Sequence, residues 1–261
     1  MKLIELTGIS GSGKSTITPI IKKFLKTEGF EVYDKYILVL RCNEFPVNRR
    51  FSTVFIRLLP ASFRDKMLAL FYRVLDNKRI YLAHYLLENL GFYETTINNI
   101  SEAPIPFYQK NWLILWWFNL ISTYQMAVES LEKNSILILD EGFYHKLINF
   151  YVHLGHDLEY SKIQTYVESI PHIDILIHIE TSIDKCIERF SKRNLPRVIR
   201  GRTMQEVTNY LENSKKAIEY SNNLISTKGT KIIKIENSDQ PFYQKNITRQ
   251  LSKNLNQLTY K

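Results

Sequence analysis

The nine residues Gly8-Ile9-Ser10-Gly11-Ser12-Gly13-Lys14-Ser15-Thr16 constrain this chain more than any other stretch. They match the spacing G-x-x-x-x-G-K-[ST] between an apolar run, Leu3–Thr7, and a helical pattern. In that pattern Ile17, Ile20, Ile21, Phe24 and Leu25 share one face, and Gly29 closes it. The chain holds only nine glycines, and Gly8, Gly11 and Gly13 are three of them. Glycines at these places let the backbone curl until successive N–H groups point inward, an anion nest at a helix N-terminus. Pro19 sits awkwardly inside this helix and is expected to bend it or loosen its start.

A nest in this context reads as a polyphosphate cradle, with Gly8, Ser10, Gly11, Ser12, Gly13, Lys14, Ser15 and Thr16 around the phosphates. Lys14 reaches the β- and γ-phosphates and the Ser15 hydroxyl coordinates Mg²⁺. Such a loop needs an acid at the end of a neighbouring strand. Asp140, after the buried run Ser135–Leu139, fits that Walker B role as a second metal ligand. Glu141 follows it, and is also a group able to activate water or accept a proton.

Further short apolar runs at Asp174–Ile179 and Lys231–Ile235, and a weaker one at Glu31–Asp34, alternate with helical patterns. Thr181 and Asp184 suggest a capping box at the start of one of these helices. The alternation predicts a three-layer α/β fold with a parallel sheet covered on both faces. Residues from 43 to about 134 break the rhythm. They carry helical spacing, as at Phe63, Met67, Leu70, Phe71 and Val74, and 17 of the 33 aromatic residues. A helical insertion in one 1–261 domain is expected, its aromatics mostly core, with one or two lining a ligand pocket. Trp112–Ile121 reads as a buried helix, too short to span a bilayer. The hexapeptide PFYQKN occurs at 106–111 and 241–246, where proline at a helix's first position explains both copies.

Thirty-five Lys and Arg against 26 Asp and Glu give a net charge of +9. Seven basic residues and one acid between Lys185 and Arg202 supply +6 of it. Arg189 and Arg193 share a helix face, and Arg197, Arg200 and Arg202 follow around Pro196 and Gly201. A basic flap over a phosphate site neutralises the migrating group and excludes water. The bland alternative is a solvated basic helix end. No helix-turn-helix, RNA-binding signature or zinc pattern accompanies the charge, so nucleic acid is not an expected partner. Two cysteines form no disulfide framework and fit a cytoplasmic setting. Contact with a membrane surface and homodimerisation stay open.

The loop, the strand-end acid and the arginine segment together resemble the nucleoside and nucleotide kinase superfamily, particularly thymidylate kinase-like proteins, over about 1–34 and 135–261. The resemblance implies an ATP- and Mg²⁺-dependent transfer to a small-molecule acceptor under a LID at about 185–203. Arg189, Arg193 and Arg197 are its cations, Asn237 lies near the adenine, and Asp34 or Glu141 serves as base. The family's usual Asp-Arg is Asp140-Glu141 here, and Lys35 follows Asp34 where recognition residues belong. A sugar-type acceptor, or an ATPase that couples hydrolysis to a partner, is the alternative.

Overall fold

The computed structural model describes residues 1–42, 78–192, 196–237 and 243–255. Five strands are β1 (Lys2–Thr7), β2 (Glu31–Tyr33), β3 (Ser135–Leu139), β4 (Ile175–Glu180) and β5 (Lys231–Glu236). They form one parallel sheet in the order β2-β3-β1-β4-β5. β1 is central, with Leu3 opposite Leu137 on one side and Ile4 opposite Ile175 on the other. The expected parallel sheet is therefore present, with strand ends within a residue of those read from the runs.

Side chains alternate along β1, so its two faces feed two cores. Ile4 and Leu6 pack with Ile17, Ile21 and Leu25 of α1 (Lys14–Thr27) and with Ile247 and Leu251 of α10 (Tyr243–Leu255). Leu3 faces the larger core, built by α5 (Phe107–Ser130), α6 (Phe143–Tyr151), α7 (Tyr160–Ser169) and α9 (Met204–Thr227). These layers make a three-layer α/β fold, the architecture expected from the sequence. α1 runs through Pro19 without interruption, and ends where Gly29 (φ +87°) turns the chain so that the Phe30 N–H donates to the Leu25 carbonyl.

The described part of the expected insertion is mainly helical. After α2 (Lys35–Cys42) come α3 (Lys78–Glu88), α4 (Leu90–Glu102) and α5. Residues 43–77, including the Phe63–Val74 pattern, lie outside the described residues. Its described aromatics are mainly core: Trp117 meets Phe92 edge-on at 5.7 Å, and Tyr85 stacks on Phe143 at 6.4 Å. The Trp112–Ile121 stretch is not buried all round, because α5 packs by one side only. Leu115 and Trp116 stay 57% and 44% exposed while Trp117 is fully buried. Pro106 occupies the cap before α5 rather than its first helical turn, and Pro241 lies outside the described residues. Among the described residues no helix is long and apolar enough to cross a membrane.

One acid breaks the apolar pattern of the central strand. Glu5 is fully buried, and its carboxylate accepts the N–H groups of Phe143 (2.8 Å) and Tyr144 (2.9 Å) at the start of α6. Burial pushes its carboxyl from 4.5 up to about 7, against the pull of those two N–H groups and of Lys146. An acid whose folded value is raised contributes stability that is complete below about pH 4.5 and lost as pH rises through about 7. Denaturant unfolding between pH 5 and 8 should show the wild type losing up to about 3 kcal/mol relative to Glu5→Gln. Parallel stability curves for the two proteins would refute this role.

Candidate active site

The glycine-rich loop leaves β1 at Thr7 and delivers the chain to α1 at Lys14. Gly11 (φ +88°) and Gly13 (φ +96°) hold left-handed backbone that L side chains rarely adopt. Space forbids a side chain as well: a Cβ on Gly13 would lie 2.3 Å from Asn237 Nδ2, and one on Gly8 2.6 Å from the Ile179 carbonyl. Ser12 N–H donates to the Ile9 carbonyl at 3.1 Å, closing the curl. Three side chains from neighbouring elements then take up loop carbonyls. Asn237 Nδ2 (2.6 Å) and Thr181 Oγ1 (3.0 Å) donate to Ser12, and Arg189 donates to Gly11 at 2.9 Å. Those three donors fix the curl of the loop from outside. The Lys14 ammonium arches back over the loop to the Gly8 carbonyl at 2.8 Å.

Ser10, Gly11, Gly13, Lys14 and Ser15 line a cavity together with Asp140, Glu141, His145, Asn149 and Arg197. Loop, strand-end acids and an arginine of the basic segment thus meet in one place. Gly8 and Ser12 lie behind the loop as buried supports, and Thr16 is exposed on α1, its N–H donating to Gly13. Asp140 leaves the end of β3 and faces Lys35 at 3.8 Å. Glu141 faces Lys146 at 3.5 Å. Desolvation pushes its carboxyl up, but the ammonium groups of Lys146, Lys14 and Lys35 hold it down at about 2, so it is ionised throughout the working range.

The structure does not bring Asp34 to this cavity. One carboxylate oxygen accepts the N–H groups of Tyr36 and Ile37 (both 2.9 Å), capping α2, and the other is paired with Lys22. Desolvation works against ionisation, yet the Lys22 ammonium and the capped N–H groups hold its pKa below the ordinary value. Its role here is to fix α2, which aims the next residue, Lys35, at Asp140. Arg189 braces the loop, and Arg197 lies over the Trp112 ring with its guanidinium 3.5 Å from the ring centre. Arg193 lies outside the described residues, as does Ser238 beyond Asn237. The capping box expected at Thr181 and Asp184 is not formed. Ser182 caps α8 (Ile183–Ser191), accepting the Lys185 N–H at 3.4 Å, because the Thr181 hydroxyl is occupied by the loop.

Two chambers adjoin the loop cavity, and Trp116 lines all three. One is polar and lies between α2, α5 and α6, lined by Lys35, Asn119, Thr123, Asp140, Glu141 and the buried Lys146. The other is apolar and lies under Arg197 and Val198, lined by Ile105, Trp112, Leu113, Val152 and Leu154. Sequence reasoning missed Glu5, His145, Lys146 and Trp116. A carboxylate within an otherwise apolar strand was the one visible signal, at Glu5. The other three stand out only once α5 and α6 are placed beside the loop.

Gly142 is where this assembly is least tolerant. A Cβ there would stand 2.1 Å from the Glu5 carboxyl carbon, whose oxygens are tied to the Phe143 and Tyr144 N–H groups. Gly142→Ala should destabilise the fold by at least about 2 kcal/mol, with the Glu5 bonds to α6 displaced. Thermal melting alongside Gly91→Ala, where a Cβ meets nothing within 4 Å, provides the control. Equal melting temperatures would refute the contact.

No protein-family profile and no curated protein matches the chain. Among solved structures it is similar to the deoxyadenosine kinase of M. mycoides, determined with the products dCMP and a flexible dCDP bound. That likeness has 16% identity and a TM-score of 0.42, covering 98% of this chain and 99% of that one. It is also similar to the TT1252 protein of Thermus thermophilus, with 15% identity, a TM-score of 0.37, and 98% and 97% of the two chains covered.

Proposed function

We propose that this protein is a Mg²⁺- and ATP-dependent kinase of a small acceptor, of the nucleoside and nucleotide kinase type. One observation carries the reading: Lys14, Ser15, Asp140, Glu141 and Arg197 line a single cavity that adjoins two chambers with room for a second molecule. A nest with an added lysine binds a polyphosphate, and arginines within the same chain suit a self-contained transferase.

The residues fit a magnesium ion. The Ser15 hydroxyl and Asp140 carboxylate share the cavity, and among the described residues no cluster of three acids, histidines or cysteines suggests a different metal centre. Bound there, the ion supplies positive charge to the phosphate oxygens. The chain's own groups do the rest. The nest and Lys14 hold the β- and γ-phosphates, and Arg197 faces the group in flight. With a hydroxyl acceptor, its oxygen bonds to the γ-phosphorus, the bond to the bridging oxygen of ADP breaks, and the proton passes to Glu141. A phosphate acceptor needs no base.

The same Glu141 supports a second reading, an ATPase in which it activates water. Turnover with and without a panel of nucleosides, nucleotides and sugars separates the two. Transfer to an acceptor, lost by at least about a hundredfold in Lys14→Ala and Asp140→Ala with melting unchanged, is the expected result. Near wild-type turnover in either variant would show the site to be wrongly assigned. Robust hydrolysis without any acceptor, abolished by Glu141→Gln, would establish the ATPase instead.

A further inference from the structure

A cleft of about 520 Å³ opens at the ends of β4 and β5, against α8 and α9. Among the described residues it shares no lining group with the loop cavity or its two chambers. Both halves of the candidate active site are braced from its walls. Thr181 and Asn237, which donate to the Ser12 carbonyl of the glycine loop, line it. His178 and Ile218 line it too, and both reach α6 through a buried polar chain. In that chain the Tyr144 hydroxyl donates to the Ile218 carbonyl at 2.9 Å and to Asn222 Oδ1 at 2.7 Å. Asn222 Nδ2 in turn meets His178 Nδ1 at 3.2 Å.

His178 is only 8% exposed, and burial holds its imidazole at about 4, so the ring is neutral at neutral pH. With Nδ1 accepting from Asn222, the hydrogen sits on Nε2. That Nε2–H has no partner among the described residues, and it is the nitrogen left to serve the cleft. The charged groups around it are mostly matched: Lys234 pairs with Glu180 at 3.0 Å, and Lys215 stands 3.9 Å from Glu219. Two are left over. Lys185, on the first turn of α8, and Glu236, at the end of β5, line the same cleft, and neither has a partner among the described residues. A simple anion would satisfy Lys185 and face Glu236 unpaired, and a simple amine would do the reverse. A molecule carrying both charges satisfies both. Between them the buried side chains of Ile9 and Ile218 offer an apolar floor.

We propose that this cleft is a second ligand site, for a small zwitterion of the amino-acid class with an aliphatic side chain. The carboxylate meets Lys185 and the His178 Nε2–H, the ammonium meets Glu236, and the side chain lies on Ile9 and Ile218. Because Thr181, Asn237 and His178 stand in the same walls, occupancy changes how firmly the glycine loop and α6 are held. It thereby changes the affinity of the loop for a polyphosphate. The coupling rests on the reading of that loop as a nucleotide site, whereas the zwitterion site itself does not.

Leucine is the probe, compared with isocaproate, which lacks its amine, and isoamylamine, which lacks its carboxylate. Leucine at millimolar concentration should raise the melting temperature of the wild type by at least about 2 °C, and neither analogue should. Lys185→Met and Glu236→Gln should each abolish the shift. The readout is a difference within each variant, so a changed basal stability does not hide it. Calorimetric titration with Mg²⁺ and a non-hydrolysable ATP analogue should give a Kd altered at least about fivefold by leucine, and the nucleotide should alter the leucine Kd by the same factor.

No shift with leucine, or an equal shift with either analogue, would overturn the proposal. So would a shift that survives in both variants. An unchanged nucleotide Kd in protein that binds leucine would overturn the coupling. Failure of the nucleotide reading is distinct, seen as a leucine shift in protein that does not bind the ATP analogue at all.

Discussion

The carboxylate of Glu5 ties the two halves of the site together. It belongs to the central strand, three residues before the glycine loop, yet its bonds go to the helix that begins after Asp140 and Glu141. Loop and acids come from chain segments more than 120 residues apart, and sheet pairing alone fixes them only to within strand register. A carboxylate at a helix N-terminus adds both hydrogen bonds and a favourable interaction with the helix dipole. The cost is an acid in a dry core, visible in its raised pKa. Gly142 follows from the same contact, since any side chain there would enter the space of the carboxylate.

Around this anchor the cavity is built as a field of alternating charge. Lys14, Lys35 and Lys146 face Asp140 and Glu141 from three different helices. Glu141 is held ionised by lysines, Asp140 is paired with Lys35, and each lysine has a carboxylate near it. Under the proposed function, an incoming polyphosphate and its metal would exchange partners with pairs already formed, so little net charge would have to be buried at once. The basic segment is likewise divided in labour. Arg189 helps shape the loop from behind, while Arg197 stands over the opening.

How much of this was legible follows from which physics each feature uses. The parallel sheet, the loop and its flanking helix are local: apolar runs, glycine spacing and a 3.6-residue period sit in contiguous sequence. Asp140 was legible for the same reason, standing at the end of such a run. Asp34 was harder to place, because an aspartate after a strand can also cap the following helix, and only the fold shows its oxygens bonded to Tyr36, Ile37 and Lys22. His145, Lys146 and Trp116 were silent, since on one helix a cavity-facing residue and a core residue have the same periodicity. Thr181 looked like a cap, and its hydroxyl instead serves a loop 169 positions away in sequence.

Trp116 has a consequence of its own. One indole forms part of the wall of the loop cavity, the polar chamber and the apolar chamber. Three compartments that share a partition are not independent vessels. A molecule that pressed the ring toward one side would enlarge or narrow the other two, and occupancy of one compartment would then bear on the others with no hinge or domain movement. Selectivity for one reactant can then be altered by changing the thickness of that partition, without touching a single residue that contacts the other.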